Sequence, residues 1–144
     1  NLSGCVHDAE DFMALLTDSL RVPPCRIKCL RNGEATRAGI LDALESHFVN
    51  NDSIKKGRDA MVCFYAGHGG RIPTPQGWSS EEGKIETICP HDEATHLRSA
   101  DGEDYVVPGI PDRTFDGLMR RLAYKKGDNV TVIFDSCHSG GMSR

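Results

Sequence analysis

Two residues of this sequence have the side chains of an acyl-transfer catalyst in settings that suit it. His68 closes the run Met61-Val62-Cys63-Phe64-Tyr65-Ala66-Gly67 and is followed by Gly69-Gly70. Cys137 closes Val130-Thr131-Val132-Ile133-Phe134-Asp135-Ser136, with Gly140-Gly141 shortly after it. A thiol attacks a carbonyl only as thiolate, so it needs a base within reach, and an imidazole supplies one near neutral pH. The glycines keep side chains away from incoming substrate and leave backbone N–H groups free to face a developing oxyanion. Taken singly, His68 reads as a histidine in a strand-end turn and Cys137 as a small apolar residue. As two strand-end sites with one layout, they read as a nucleophile and its base. His138 adjoins Cys137, but neighbours in an extended segment face opposite ways, which makes it structural rather than that thiol's base.

Such a pair needs parallel strands that end at one rim, and the pattern supplies them. Apolar residues Phe12, Met13, Leu16 and Leu20 share one face of a helix expected from Asp8 to Leu20, which Pro23-Pro24 ends. Cys25 to Leu30 reads as a short strand, Asn32-Gly33 as a turn, and Thr36 as the N-cap of a second helix with the stripe Ile40, Leu41, Leu44 and Phe48. Asp59 to Tyr65 is a short apolar run of the kind buried on both faces of a parallel sheet, and Asn129 to Phe134 follows as a β-branched strand. Thr114 can cap a third helix over Phe115, Leu118, Met119 and Leu122, closed by Lys125-Lys126-Gly127. Between them, Arg71 to about Ile110 reads as a loop-rich insertion in which only Glu86 to Cys89 resembles a strand. The order of elements predicts an α/β fold with a mostly parallel sheet between helical layers. Strands are expected to be missing both before Asn1 and after Arg144.

Composition narrows the function. A chain of 144 residues is one domain or part of one. A net charge of −4 lacks the basic excess that phosphate backbones require, which argues against nucleic acid. No apolar run approaches the roughly 20 residues that span a bilayer, so no membrane role is expected. Six cysteines without framework spacing suggest free thiols in a reducing, cytoplasmic setting. Cys25, Cys29, Cys89, His91 and His96 are the candidates for zinc, but no CxxC pair supports a metal site.

FYAGHGG at residues 64–70 and IFDSCHSGG at residues 133–141 resemble the His and Cys boxes of caspase-like cysteine peptidases, most closely the metacaspase branch of peptidase C14. GCVHDAE at residues 4–10 resembles that branch's acidic box, and TICPHD at residues 87–92 its strand-and-loop segment, so the likeness covers nearly the whole chain. The interval between His68 and Cys137 exceeds the roughly 50 residues seen in caspases, and the excess falls in the insertion.

The resemblance implies a partial, p20-like (large-subunit) catalytic domain over residues 1–144, with a three-layer caspase-haemoglobinase-like sandwich and the rest of the domain packing on it. It implies Cys137 as nucleophile, His68 as base, oxyanion contacts from the N–H groups of Gly69 and Cys137, and no third triad member. It also places Cys5, Asp8, Ala66 and Asp135 in the pocket for the substrate residue before the cut. Two carboxylates there attract a cation, so the expected substrates are proteins or peptides with Arg or Lys at that position. Asp8 and Asp135 also have plain readings, as a helix N-terminal carboxylate and a turn residue. Ala66 stands where the branch often has serine. Ile110-Pro111-Asp112-Arg113 keeps one aspartate of the adjacent pair in calcium-dependent members, which argues against calcium activation despite Glu81, Glu82 and Asp92 nearby. No cofactor is expected. The alternatives are a catalytically silent caspase-like interaction module, and an unrelated α/β thiol enzyme or zinc protein.

Overall fold

The computed structural model of the chain describes residues 3–80 and 82–136. Helix α1, Ser3–Ala14, runs on as a wider turn over Leu15–Ser19, starting earlier than the periodicity predicts. Helix α2, Arg37–Ala43, likewise continues over Leu44–Val49, and Thr36 caps it by accepting from Gly39 N at 3.0 Å. Helix α3, Asp112–Lys126, begins two residues before Thr114. Pro111 takes the N-cap place, and Asp112 puts a carboxylate in the first turn that accepts from Arg113 N at 2.6 Å. No helix among the described residues is long and apolar enough to cross a membrane.

Strands β1, Met61–Gly67, and β7, Val130–Ser136, form a two-stranded parallel sheet. Between them lie β2 (Gly69–Pro73), β3 (Lys84–Ile88), β4 (His96–Arg98), β5 (Asp104–Val106) and β6 (Ile110–Pro111). β2, β3 and β6 make an antiparallel sheet in the order β2-β3-β6, and β4 pairs with β5. The helices and the parallel β1-β7 sheet agree with the α/β expectation, and among the described residues parallel pairing is confined to these two strands. The insertion is also more ordered than its glycines and prolines suggest, because β2 and β3 pair back along their whole length from Gly69↔Ile88 to Pro73↔Lys84. Cys25–Leu30 is no strand. Pro24–Arg26 forms a 3-10 turn, and the backbone beyond is extended, as at Ile27 (φ −111°, ψ 123°), without a strand partner among the described residues.

The faces of the parallel pair differ. Cys63, Tyr65, Val132 and Phe134 pack against the core of Leu44, Ile88, Ile110, Phe115 and Leu118, while Met61 and Val130 join Val49 and Leu122. On the opposite face Phe64 stacks on Phe12 of α1, ring centroids 4.5 Å apart. Thr131, Ile133 and Asp135 are exposed, so β7 alternates between its core face and an open one.

The register is anchored at the amino ends of the strands. Met61 N donates to Asn129 O at 2.9 Å, and Gly57 N donates to Lys126 O at 2.9 Å. Gly127 makes this approach possible: its φ of 101° and ψ of 167° lie in a region nearly confined to glycine, and a Cβ there would stand 2.8 Å from Gly57 N. Gly127→Ala should therefore cost about 1–3 kcal/mol in urea unfolding. Tyr124→Ala, at an 82% exposed position three residues earlier, should change stability by less than about 1 kcal/mol.

Candidate active site

The carboxyl ends of β1 and β7 are level. Their ladder runs without a break from Met61↔Val130 through Ala66↔Asp135 to Gly67↔Ser136. His68 follows Gly67, and its side chain is exposed. Cys137 follows Ser136 in the sequence and lies outside the described residues, as do His138, Gly140 and Gly141. The structure thus describes one of the two expected reactive residues and the strand end that leads to the other.

Main-chain bonds hold His68 to the end of β3. Cys89 N donates to His68 O at 3.0 Å, and Tyr65 Oη donates to the same carbonyl at 2.8 Å, with Cys89 O 3.1 Å away. Because His68 opposite Cys89 is a hydrogen-bonded rung, strand alternation makes Gly69 opposite Ile88 a non-bonded one. The Gly69 N–H accordingly turns away from β3.

Asp135 and Ala66 are opposite each other in the ladder and share the face that carries Phe64. Ala66 is half-buried and Asp135 exposed. Cys5 on α1 is half-buried and lines the same groove as Ala66, His68 and Gly69. Asp8, one turn further along α1, is half-buried but does not line that groove. The structure therefore brings Cys5, Ala66, His68 and Gly69 to one cleft, with Asp135 beside Ala66.

The groove extends well past these residues. About 1200 Å³ lies between Phe12, Met13 and Leu16 of α1, the extended residues Ile27 and Cys29, and the edge of β1 away from β7. That edge has no strand neighbour among the described residues.

The acidic and zinc candidates are scattered. Asp92 accepts from Arg37 N at 2.7 Å, Asp112 lies in the first turn of α3 and accepts from Arg113 N, Glu82 stands 3.8 Å from Arg71, and Glu81 lies outside the described residues. No group of three or more His, Cys, Asp or Glu that could hold a metal gathers among the described residues. Tyr65 has no role that its residue type announces, yet it ties three strand ends together. The signal that could have found it is its spacing, two residues before a glycine on the same strand face.

Burial shapes the other thiols. It pushes Cys63 up to about 11, and it pushes Cys89 up to about 12 with help from the neighbouring Glu93. Both stay protonated at neutral pH and are poor nucleophiles. Iodoacetamide at pH 8 should label the exposed Cys25 in the native protein and spare Cys63 and Cys89 until urea is added, as mapped by peptide mass spectrometry. In an unfolded chain these thiols ionise near 9, before the folded ones do. Their contribution to stability should thus be intact below pH 9 and fall as pH rises from there toward 11–12.

The family profile of the metacaspase, peptidase C14 domain matches residues 1–143. Metacaspase-1A of Aspergillus fumigatus is 30% identical over 155 residues, covering 96% of this chain and 31% of that protein. Metacaspase-7 of Arabidopsis thaliana is 29% identical over 148 residues, covering 98% of this chain and 31% of its own length. Metacaspase-1 of Ajellomyces capsulatus is 31% identical over 156 residues, covering 96% and 36%. The chain spans about a third of the length of these relatives.

Proposed function

The chain belongs to the metacaspase family of peptidase C14, and on that premise we propose that it is the p20-like part of a cysteine endopeptidase that cleaves after Arg or Lys. The observation that carries this reading is the ladder ending at Gly67↔Ser136. His68 and Cys137 each follow this last rung by one residue in the sequence.

In the proposed reaction His68 takes the Cys137 proton, and the sulfur attacks the scissile carbonyl. The N–H groups of Gly69 and Cys137 receive the oxyanion. His68 then protonates the leaving amine, and a thioester remains for water to hydrolyse. The chemistry needs no cofactor. Asp135 and Asp8 would attract the cation of the substrate residue before the cut, with Cys5 and the Ala66 methyl as walls. An exposed carboxylate such as Asp135 attracts a cation by only about 1 kcal/mol in water, so the pocket must gain cover from substrate or further chain before it discriminates.

That cover belongs to the rest of the catalytic domain, which we propose completes a three-layer sandwich on this portion. In support, the groove of about 1200 Å³ separates the free edge of β1 from the unpaired extended segment at Ile27 and Cys29. The insertion at residues 71–110 then stands at the rim as a small antiparallel subdomain of the same domain.

Arginyl, lysyl and aspartyl reporter peptides assayed with the protein at its full encoded length test the reading. Cys137→Ala and His68→Ala should each abolish turnover, and Asp135→Ala should lose at least about tenfold of the arginyl preference. Preference for aspartyl peptides would overturn the acidic pocket, and full activity of Cys137→Ala would overturn the nucleophile.

A further inference from the structure

We propose that Tyr65 is a positioning residue for His68, holding the imidazole at the working place by fixing the backbone that carries it. The inference rests on the reading of His68 as the base.

Residues two apart on a strand face the same way, so Tyr65 and Gly67 share the core face of β1. The Tyr65 ring lies along the strand over Gly67: a Cβ on Gly67 would come 2.6 Å from Tyr65 Cζ and collide with Oη. Only glycine at position 67 lets the ring lie down, and only a ring lying down reaches past Gly67 to the next carbonyl. There the hydroxyl donates to His68 O at 2.8 Å and stands 3.1 Å from Cys89 O. His68 O also accepts Cys89 N–H at 3.0 Å. The ring meets Phe134 of β7 edge-on, centroids 6.1 Å apart. One side chain thus touches the end of β1, the end of β3 and the strand that leads to Cys137.

His68 depends on such an anchor. Among the described residues its imidazole has no hydrogen-bond partner, so its place is set through the main chain, whose carbonyl Tyr65 and Cys89 hold. Small displacements of a base cost rate far more than binding, because the proton must pass in a narrow geometry. Burial raises the Tyr65 pKa well above the usual phenol range, which keeps the hydroxyl a donor at every working pH.

Tyr65→Phe removes the hydroxyl and keeps the ring. In the full-length protein, with active sites counted by titration with an arginyl covalent inhibitor, it should lower kcat about tenfold while KM changes less than about twofold. The basic-group limb of the kcat pH profile should shift as well. Gly67→Ala, which displaces the ring, should reproduce the loss, and the double variant should cost little more than either alone. A Tyr65→Phe protein with unchanged kcat per titrated site and unchanged pH profile, even if less heat-stable, would overturn the proposal, leaving Tyr65 a structural residue. Full activity of His68→Ala would instead overturn the reading of the base.

Discussion

The parallel pairing of β1 with β7 sets where the functional groups stand. Its register is chosen far from the site, where Gly57 and Met61 bond to Lys126 and Asn129 at the C-terminal end of α3. From there the two strands rise in step, so that Ala66 meets Asp135 and Gly67 meets Ser136. A slip of one residue would turn every side chain of one strand to the wrong face, moving Phe134 out of the core and Asp135 into it. The penalty for burying that carboxylate unpaired makes the observed register the stable one.

The pleat divides the labour between the faces. Cys63, Tyr65, Val132 and Phe134 bind the sheet to α2 and α3, while Phe64, Ala66 and Asp135 face the side of α1. Tyr65 joins the two roles: its ring is packed with the core, and its hydroxyl reaches the backbone of the proposed base. In this way core packing at Phe115 and Phe134, rings 5.3 Å apart, is coupled to the geometry at the rim.

Much of this was legible in residue patterns. The runs Met61–Tyr65 and Val130–Phe134, the Thr36 cap and the Gly127 stop are local signals, and local chemistry enforces them. Cys25–Leu30 has the residues of a strand and is none, because such residues become a strand only with a partner, and pairing is not local. The antiparallel sheet of β2, β3 and β6 was hidden for the same reason: the stretch from Arg71 reads as loop-rich, yet pairing with Lys84–Ile88 orders its first residues. At the site, His68 was visible by its type and flanks, whereas Tyr65 has an ordinary side chain whose role comes from where its hydroxyl lands.

In the proposed reaction the imidazole of His68 and the sulfur of Cys137 act as a pair. The pH dependence of Cys137 alkylation, followed on its own peptide in wild type and His68→Ala, reads that pairing without relying on any substrate. The apparent pKa should lie below the roughly 8.5 of a free thiol in wild type and move up toward it when the imidazole is removed. Identical profiles for the two proteins would contradict it.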